Sequence, residues 1–153
     1  MKKADTKAGA NRPRNYCFGC GPYNTAGMHL RFQYEGTEPV VRGVFRMPGR
    51  YQGSRKTVHG GIVALLLDEA MGKFNRLDEV VAPTAELSVE YLRPVPVGQK
   101  IVVQARRTRH LGRNYWREST IQDENGRLLA RCKARFVKIG ERMPAAAANG
   151  GKQ

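Results

Sequence analysis

Cysteine is scarce in this chain of 153 residues: Cys17, Cys20 and Cys132 make three. An odd number cannot pair off completely, which fits a reducing compartment better than a disulfide framework. Zinc is disfavoured on the same count. Cys17 and Cys20 supply half of a tetrahedral site, but no second cysteine pair follows to complete it, so they read as packing or loop-shaping residues and no metal is expected. Long apolar runs are missing too, which excludes a helical membrane span, and the start is not the basic-then-apolar pattern of a secretory signal. The expectation is a cytoplasmic protein without a membrane partner. Acidic residues are the other shortage, 13 against 27 Lys+Arg for a net charge of +14.

Such an excess attracts polyanions, whether nucleic acid, phosphorylated cofactors or an acidic membrane surface. Its placement matters. Residues 1–14 carry five basic side chains against one acidic, and residues 140–153 carry two against one, so the stretch between keeps a net +9. Neither end has apolar periodicity. Residues 1–14 read as a flexible basic arm, residues 15–139 as the folded domain and residues 140–153 as a flexible tail.

Within the domain, Asn15 to Gly27 is loop-like. From Met28 the chain alternates strictly, with Met28, Leu30, Phe32 and Tyr34 against His29, Arg31, Gln33 and Glu35, which predicts a half-buried strand. Val40 to Met47 is its expected hairpin partner. Four more segments of period two follow: Thr84 to Leu92, Lys100 to Arg109, Tyr115 to Gln122 and Arg127 to Lys138. The breaks between them are Pro94–Gly98, His110–Gly112 and an Asp123–Gly126 turn ending in Asn-Gly, a strong hairpin signal. They read as a four-stranded meander.

Between the two sets of strands lies a helix, expected from about His59 to Phe74. From Ile62 to Met71 it is apolar on every side except at Asp68 and Glu69, so it should be buried nearly all round. Glu69 has Lys73 four residues on, the favourable order for a helical ion pair. Asp68 has only Ala64, Leu65, Met71 and Gly72 at its neighbouring positions. A carboxylate without a partner is costly in an apolar setting, which makes Asp68 the first candidate for chemistry. One buried helix and strands with one apolar face predict an α+β fold whose antiparallel sheet curls around the helix.

Several segments, in their order and spacing, resemble the hotdog-fold acyl-CoA thioesterases, in particular the branch related to phenylacetyl-CoA and 4-hydroxybenzoyl-CoA thioesterases. They are Cys17-Phe18-Gly19-Cys20-Gly21 with Asn24 and Gly27; Val58-His59-Gly60-Gly61 with Asp68 nine residues after the histidine; Pro83 to Gly98; and the Asp123 to Ala130 turn. Together they cover roughly residues 16–138. The resemblance implies a six-stranded antiparallel sheet wrapped around one long central helix, and hydrolysis of an acyl-CoA to the free acid and CoA. No cofactor is implied beyond the coenzyme A of the substrate.

The implied roles suit the residue types. A thioester carbonyl needs hydrogen-bond donors where the oxyanion forms and a carboxylate to attack or to activate water. A helix start offers unsatisfied N–H groups and a partial positive charge, and Gly60 and Gly61 leave that backbone open. By resemblance Gly60 supplies the oxyanion N–H and Asp68 is nucleophile or general base; His59 either takes part directly or fixes the helix start. Gly60 and Asp68 are eight residues apart on one helix, roughly 12 Å at about 1.5 Å per residue, so one carbonyl cannot touch both. Two helices antiparallel across a two-fold axis would bring Gly60 of one subunit to Asp68 of the other. The expectation is an obligate dimer, or a dimer of dimers.

Arginines at positions 106, 107, 109, 113 and 117 flank the His110–Gly112 turn, and arginine binds phosphate through paired donors. Arg109, Arg113 and Asn114 are the implied contacts to the nucleotide, with Arg93 a further candidate there or at the thioester. Leu66, Met71, Phe74 and Tyr51 are the candidates for the acyl pocket. Two positions depart from relatives: Gly53 stands where some carry Asn or Gln, and Arg93 where others carry Ser or Thr. Two competing functions are a non-catalytic acyl-CoA-binding module of the same fold and a basic nucleic-acid-associated protein. For the latter, Tyr115 and Trp116 could stack on bases, but no recognised nucleic-acid motif accompanies them.

Overall fold

A computed structural model describes residues 14–142, which fall into two compact units divided after Leu30. Residues 1–13 and 143–153, most of the two expected arms, lie outside the described residues.

In the first unit the backbone folds on itself. Gly21 N–H bonds Cys17 O at 2.8 Å, and Met28 and Leu30 N–H groups bond Phe18 O and Gly19 O at 2.7 and 2.8 Å. A side chain on Gly21 would meet Cys17 and Asn15 backbone atoms at 2.4 to 2.7 Å, which is why that turn holds a glycine. His29 takes a positive φ of 53° and its ring reaches Asn24 O at 2.6 Å. The strand expected from Met28 therefore begins only later. Alternation recorded which side chains are apolar, but the N–H groups of Met28 and Leu30 are spent on this loop.

The second unit is a six-stranded antiparallel sheet. Its strands are β1 (Gln33–Glu35), β2 (Val40–Arg46), β4 (Thr84–Tyr91), β5 (Lys100–Leu111), β6 (Asn114–Asp123) and β7 (Leu128–Val137). Helix α1 (Gly60–Gly72) and a short α2 (Phe74–Leu77) precede β3 (Val80–Val81), which pairs with β8 (Gly140–Glu141). Residues 140–142, inside the stretch expected as a flexible tail, are thus tied to residues 79–81.

The sheet order is β1-β2-β5-β6-β7-β4, which corrects the four-stranded meander. β5, β6 and β7 are consecutive hairpins, but β4 pairs with β7, from Thr84↔Phe136 to Tyr91↔Ala130. Pro94 and Pro96 prevent a tight return into β5. Instead the segment crosses at the start of α1, with Val58 N–H bonded to Val95 O at 2.8 Å and a bridge between Thr57 and Pro96.

Inward residues of the strands pack on α1, which buries Val63, Leu66, Leu67, Ala70 and Met71. Burying Leu66 and Leu67 completely is worth on the order of 2 kcal/mol each. Helix α1 is not buried all round, however. Leu65, Asp68 and Gly72, at helical spacing, remain half-exposed, on a chain whose edge strand β4 also exposes Leu87 and Tyr91. The expected Glu69–Lys73 ion pair forms at 2.5 Å.

The C-terminal end of α1 is fastened by Arg117, whose side chain is 1% exposed. Its guanidinium donates to Met71 O, Asn75 Oδ1 and Asp78 Oδ2, each at 2.8 Å. It also lies 4.5 Å from the Phe136 ring centroid. A bulge in β5 between Arg107 and Arg109 then separates two arginines that look alike in sequence. Arg107 turns to Asp78 at 2.5 Å, whereas Arg109 lies over Trp116 at 4.9 Å.

Candidate active site

Two short contacts from the preceding loop set the start of α1: His59 N–H donates to Tyr51 O at 2.8 Å, and Gly53 N–H to Thr57 O at 2.8 Å. Gly53 lies so close that a side chain there would begin 3.0 Å from His59 Cα. His59 is the N-cap, with extended backbone, and its Nδ1 accepts the Gly61 N–H at 2.9 Å. That fixes the neutral tautomer with the proton on Nε2. The N–H groups of Ile62 and Val63 bond His59 O at 2.9 and 3.0 Å. Among the described residues one first-turn donor is left over, the N–H of Gly60. It is exposed, and the helix dipole adds partial positive charge to it.

This N–H sits beside a cavity of about 330 Å³ lined by Val63, Tyr91, Leu92, Pro94 and Val95, with Arg93 among its walls. Arg93 donates to Leu128 O at 2.7 Å, so its guanidinium also holds the start of β7. Of the residues expected for an acyl pocket, Leu66, Met71 and Phe74 are fully buried core and do not line this cavity.

Two turns along α1, Asp68 Oδ1 accepts a hydrogen bond from Thr84 Oγ1 of β4 at 2.7 Å. Burial raises the Asp68 pKa above the ordinary carboxylate value, the neighbouring Glu69 charge raises it further, and the Thr84 hydroxyl pulls it back. Cys132 of β7 also feels this carboxylate: burial first, and the Asp68 charge second, push its thiol up to about 11. A thiol held that far up is a poor nucleophile near neutral pH, so of these two side chains Asp68 is the better candidate for chemistry.

The remaining candidates sit elsewhere. Arg109 on its Trp116 ring, His110 stacked on Tyr115 at 4.1 Å, and Arg107 with Asp78 surround a second cavity of about 360 Å³. Arg113 Nε donates to Lys138 O at 3.0 Å, and Asn114 Oδ1 accepts from Arg135 at 2.9 Å. Arg117, which joins this group, also caps Met71 O, so the group lies at the C-terminal end of α1. Gly60 lies at the other end, about 20 Å away for a helix of 13 residues. Within one chain Gly60 and Arg93 come together, Arg109, Arg113 and Asn114 share a separate region, and Asp68 lies between.

The chain carries two signatures at once: the six-stranded sheet on one long helix, and residues 55–117 that match the family profile of the thioesterase superfamily. On both counts it resembles that superfamily. Mouse (Mus musculus) acyl-coenzyme A thioesterase THEM4 is 29% identical over 119 residues, 77% of this chain and 51% of the relative. The chain thus spans about half the length of this curated relative. A crystallised thioesterase superfamily protein superposes with a TM-score of 0.73 at 28% identity, over 81% of this chain and 63% of that one. A thioesterase from Streptococcus pneumoniae TIGR4, solved with coenzyme A, gives a TM-score of 0.67 at 15% identity over 74% and 92% of the two chains. At that identity the likeness is one of fold.

Proposed function

We propose that this chain hydrolyses acyl-CoA thioesters at a site shared between two subunits. The observation that carries this reading is a pair of groups on one helix: the unpartnered N–H of Gly60 and the half-buried, Thr84-bonded carboxylate of Asp68. The thioester carbonyl oxygen accepts from Gly60 N–H of one subunit. Asp68 of the other subunit either takes a proton from an attacking water or attacks the carbonyl itself. A C–O bond forms and negative charge collects on the oxygen beside Gly60. On the base route the C–S bond then breaks to give the acid and a thiolate that takes the proton held by Asp68; on the nucleophile route the thiolate leaves a mixed anhydride with Asp68, which water cleaves to free the acid and the carboxylate. The raised Asp68 pKa suits a group that must accept a proton near neutrality.

Three features support an antiparallel pairing of α1 helices. The Gly60–Asp68 separation exceeds the reach of one carbonyl. The Leu65–Asp68–Gly72 stripe is only half-covered. And β4 leaves an eight-residue edge with exposed Leu87 and Tyr91, a surface that isolated proteins rarely leave open. In such a pair the arginine-rich end of one subunit meets the helix start of the other, so Asp68, Arg109, Arg113 and Asn114 come from one chain and Gly60 and Arg93 from its partner. Crystal structures also exist of Streptococcus pneumoniae thioesterase variants in which an aspartate and a threonine sixteen residues apart are each changed to alanine. Asp68 and Thr84 stand at the same separation here.

The test is thiol release from acetyl-, hexanoyl-, benzoyl- and phenylacetyl-CoA. Wild type should release thiol from at least one, and Asp68→Ala should lose at least a hundredfold, with light scattering giving a dimer or larger. Binding of CoA esters without thiol release would replace hydrolysis by a binding function, and a monomer at micromolar concentration would overturn the shared site. Oxygen from labelled water found in Asp68 after a single turnover marks it as the nucleophile; label only in the acid, with no acyl-enzyme trapped by hydroxylamine, marks it as the base.

A further inference from the structure

We infer that Tyr91 is a positioning residue for the oxyanion donor, holding the Gly60 N–H in line by clamping the peptide that follows it. This rests on the thioesterase reading of Gly60. Tyr91 is the last residue of β4, 31 positions from the glycine, and its hydroxyl donates to Gly60 O at 2.9 Å. The N–H of that same peptide, on Gly61, is taken by His59 Nδ1 at 2.9 Å. One peptide unit is therefore gripped at both ends by side chains from outside the helix. The Tyr91 ring also lies 3.6 to 3.7 Å from where a Gly60 Cβ would stand, so it packs against the face of the glycine that has no side chain.

The need for a clamp follows from the sequence. Two consecutive glycines open α1, each disfavouring helix by about 1 kcal/mol relative to alanine, at an end where helices fray. An unrestrained Gly60 samples a wide φ/ψ range and its N–H swings with it. An oxyanion donor works only if it is already aimed, within roughly 2.7 to 3.1 Å of the developing charge. The Gly60 N–H is kept open for substrate, so its own peptide is held only at the carbonyl end, where His59 O accepts from Ile62 and Val63. Tyr91 adds the restraint on the other side of the glycine, through the next peptide. In the single chain Tyr91 is 56% exposed, so there its hydrogen bond competes with water and contributes little to folding. Its effect belongs in the rate.

The experiment uses the full-length chain and the acyl-CoA ester cleaved fastest by wild type, with Tyr91→Phe and Tyr91→Leu. Tyr91→Phe removes only the hydroxyl. It should lower kcat about tenfold, change KM less than twofold, and leave the thermal midpoint within about 1 °C. The ¹⁵N order parameter of the Gly60 amide should fall while that of Leu66 stays put. A kcat equal to wild type in Tyr91→Phe, with loss only in Tyr91→Leu, would overturn the clamp in favour of simple packing. A rise in KM matching the fall in kcat/KM would overturn it in favour of substrate contact. The Asp68→Asn variant separates this inference from the thioesterase reading. If Asp68→Asn is as active as wild type, or wild type releases no thiol, that reading fails and the Gly60 order parameter decides alone: loss of order in Tyr91→Phe supports the restraint, and unchanged order overturns it.

Discussion

Thr84 and Asp68, one on the edge strand and one on the central helix, share a hydrogen bond of 2.7 Å. It is the one interaction lowering the pKa of a carboxylate that burial and Glu69 both raise. Replacing Thr84 by Val leaves only the two raising influences, so the pKa moves further up. In the proposed mechanism Asp68 is ionised when it acts, and the acidic limb of the kcat/KM profile should therefore move to higher pH in Thr84→Val. A limb that stays in place would separate Asp68 from the pH dependence.

The same carboxylate has a sign for stability. A group whose pKa is raised in the folded state holds its proton more tightly there than when unfolded. Its stabilising contribution is present in full below the unfolded value and is lost as pH rises through the folded one. At pH 7 the ionised Asp68 weakens the fold. Asp68→Asn should raise the urea midpoint at pH 7 while abolishing thiol release, and the gain should vanish near pH 3.

His59 tests capping against chemistry. Asparagine is among the best N-cap residues, whereas alanine at a cap costs about 1 kcal/mol. With Nδ1 already engaged by Gly61, His59→Asn should keep stability and most of the activity that His59→Ala loses. Equal and complete loss of activity in both, with stability intact, would put the imidazole in the reaction.

Arg117 should be the most sensitive position in the core. Its removal takes a donor from Met71 O, which keeps the Lys73 N–H of the helix C-cap, and breaks one of the two arginine contacts of Asp78. Breaking a buried pair from one side costs about 3 kcal/mol or more, so Arg117→Met should lower the denaturation free energy by about that much. Ser119 runs the other way. Its Oγ is buried with no hydrogen-bond partner among the described residues, and an unsatisfied hydroxyl costs about 1 kcal/mol or more. Ser119→Ala should stabilise by roughly that amount in urea denaturation.

Much of this was legible beforehand, for physical reasons. Helix α1 announced itself through an apolar run too dense for a solvent-facing helix, and β5, β6 and β7 through period-two alternation and an Asn-Gly turn. The hotdog architecture was implied by the resemblance of four segments, the His-Gly-Gly and Asp spacing among them, and is borne out; residues 55–117 match the thioesterase superfamily profile. What escaped was non-local. Alternation cannot say which strand is a neighbour, so β4 was placed beside β5 instead of β7. Thr84 looked like any strand threonine, because its partner lies sixteen residues away on another element. Tyr91 is distant from Gly60 by 31 residues. Five arginines around one turn read alike until the β5 bulge turns Arg107 to Asp78 and Arg109 to Trp116.

The position of β4 has a consequence in time. Its partners on β7 lie between 39 residues away, Tyr91↔Ala130, and 52 away, Thr84↔Phe136, whereas β5 and β6 close from Leu111↔Asn114 outward. Loop closure favours the short contacts first. The β5–β6–β7 hairpins should zip up early and β4 should dock last. Pulse-labelled hydrogen exchange should protect Val103 and Ile121 amides before that of Val89. During synthesis the order is reversed: α1 and β4 leave the ribosome before any of β5, β6 or β7 exists to cover them. A newly made chain therefore passes through an interval in which its most apolar helix and its unpaired edge are both uncovered, and that interval is where this protein is most exposed to aggregation.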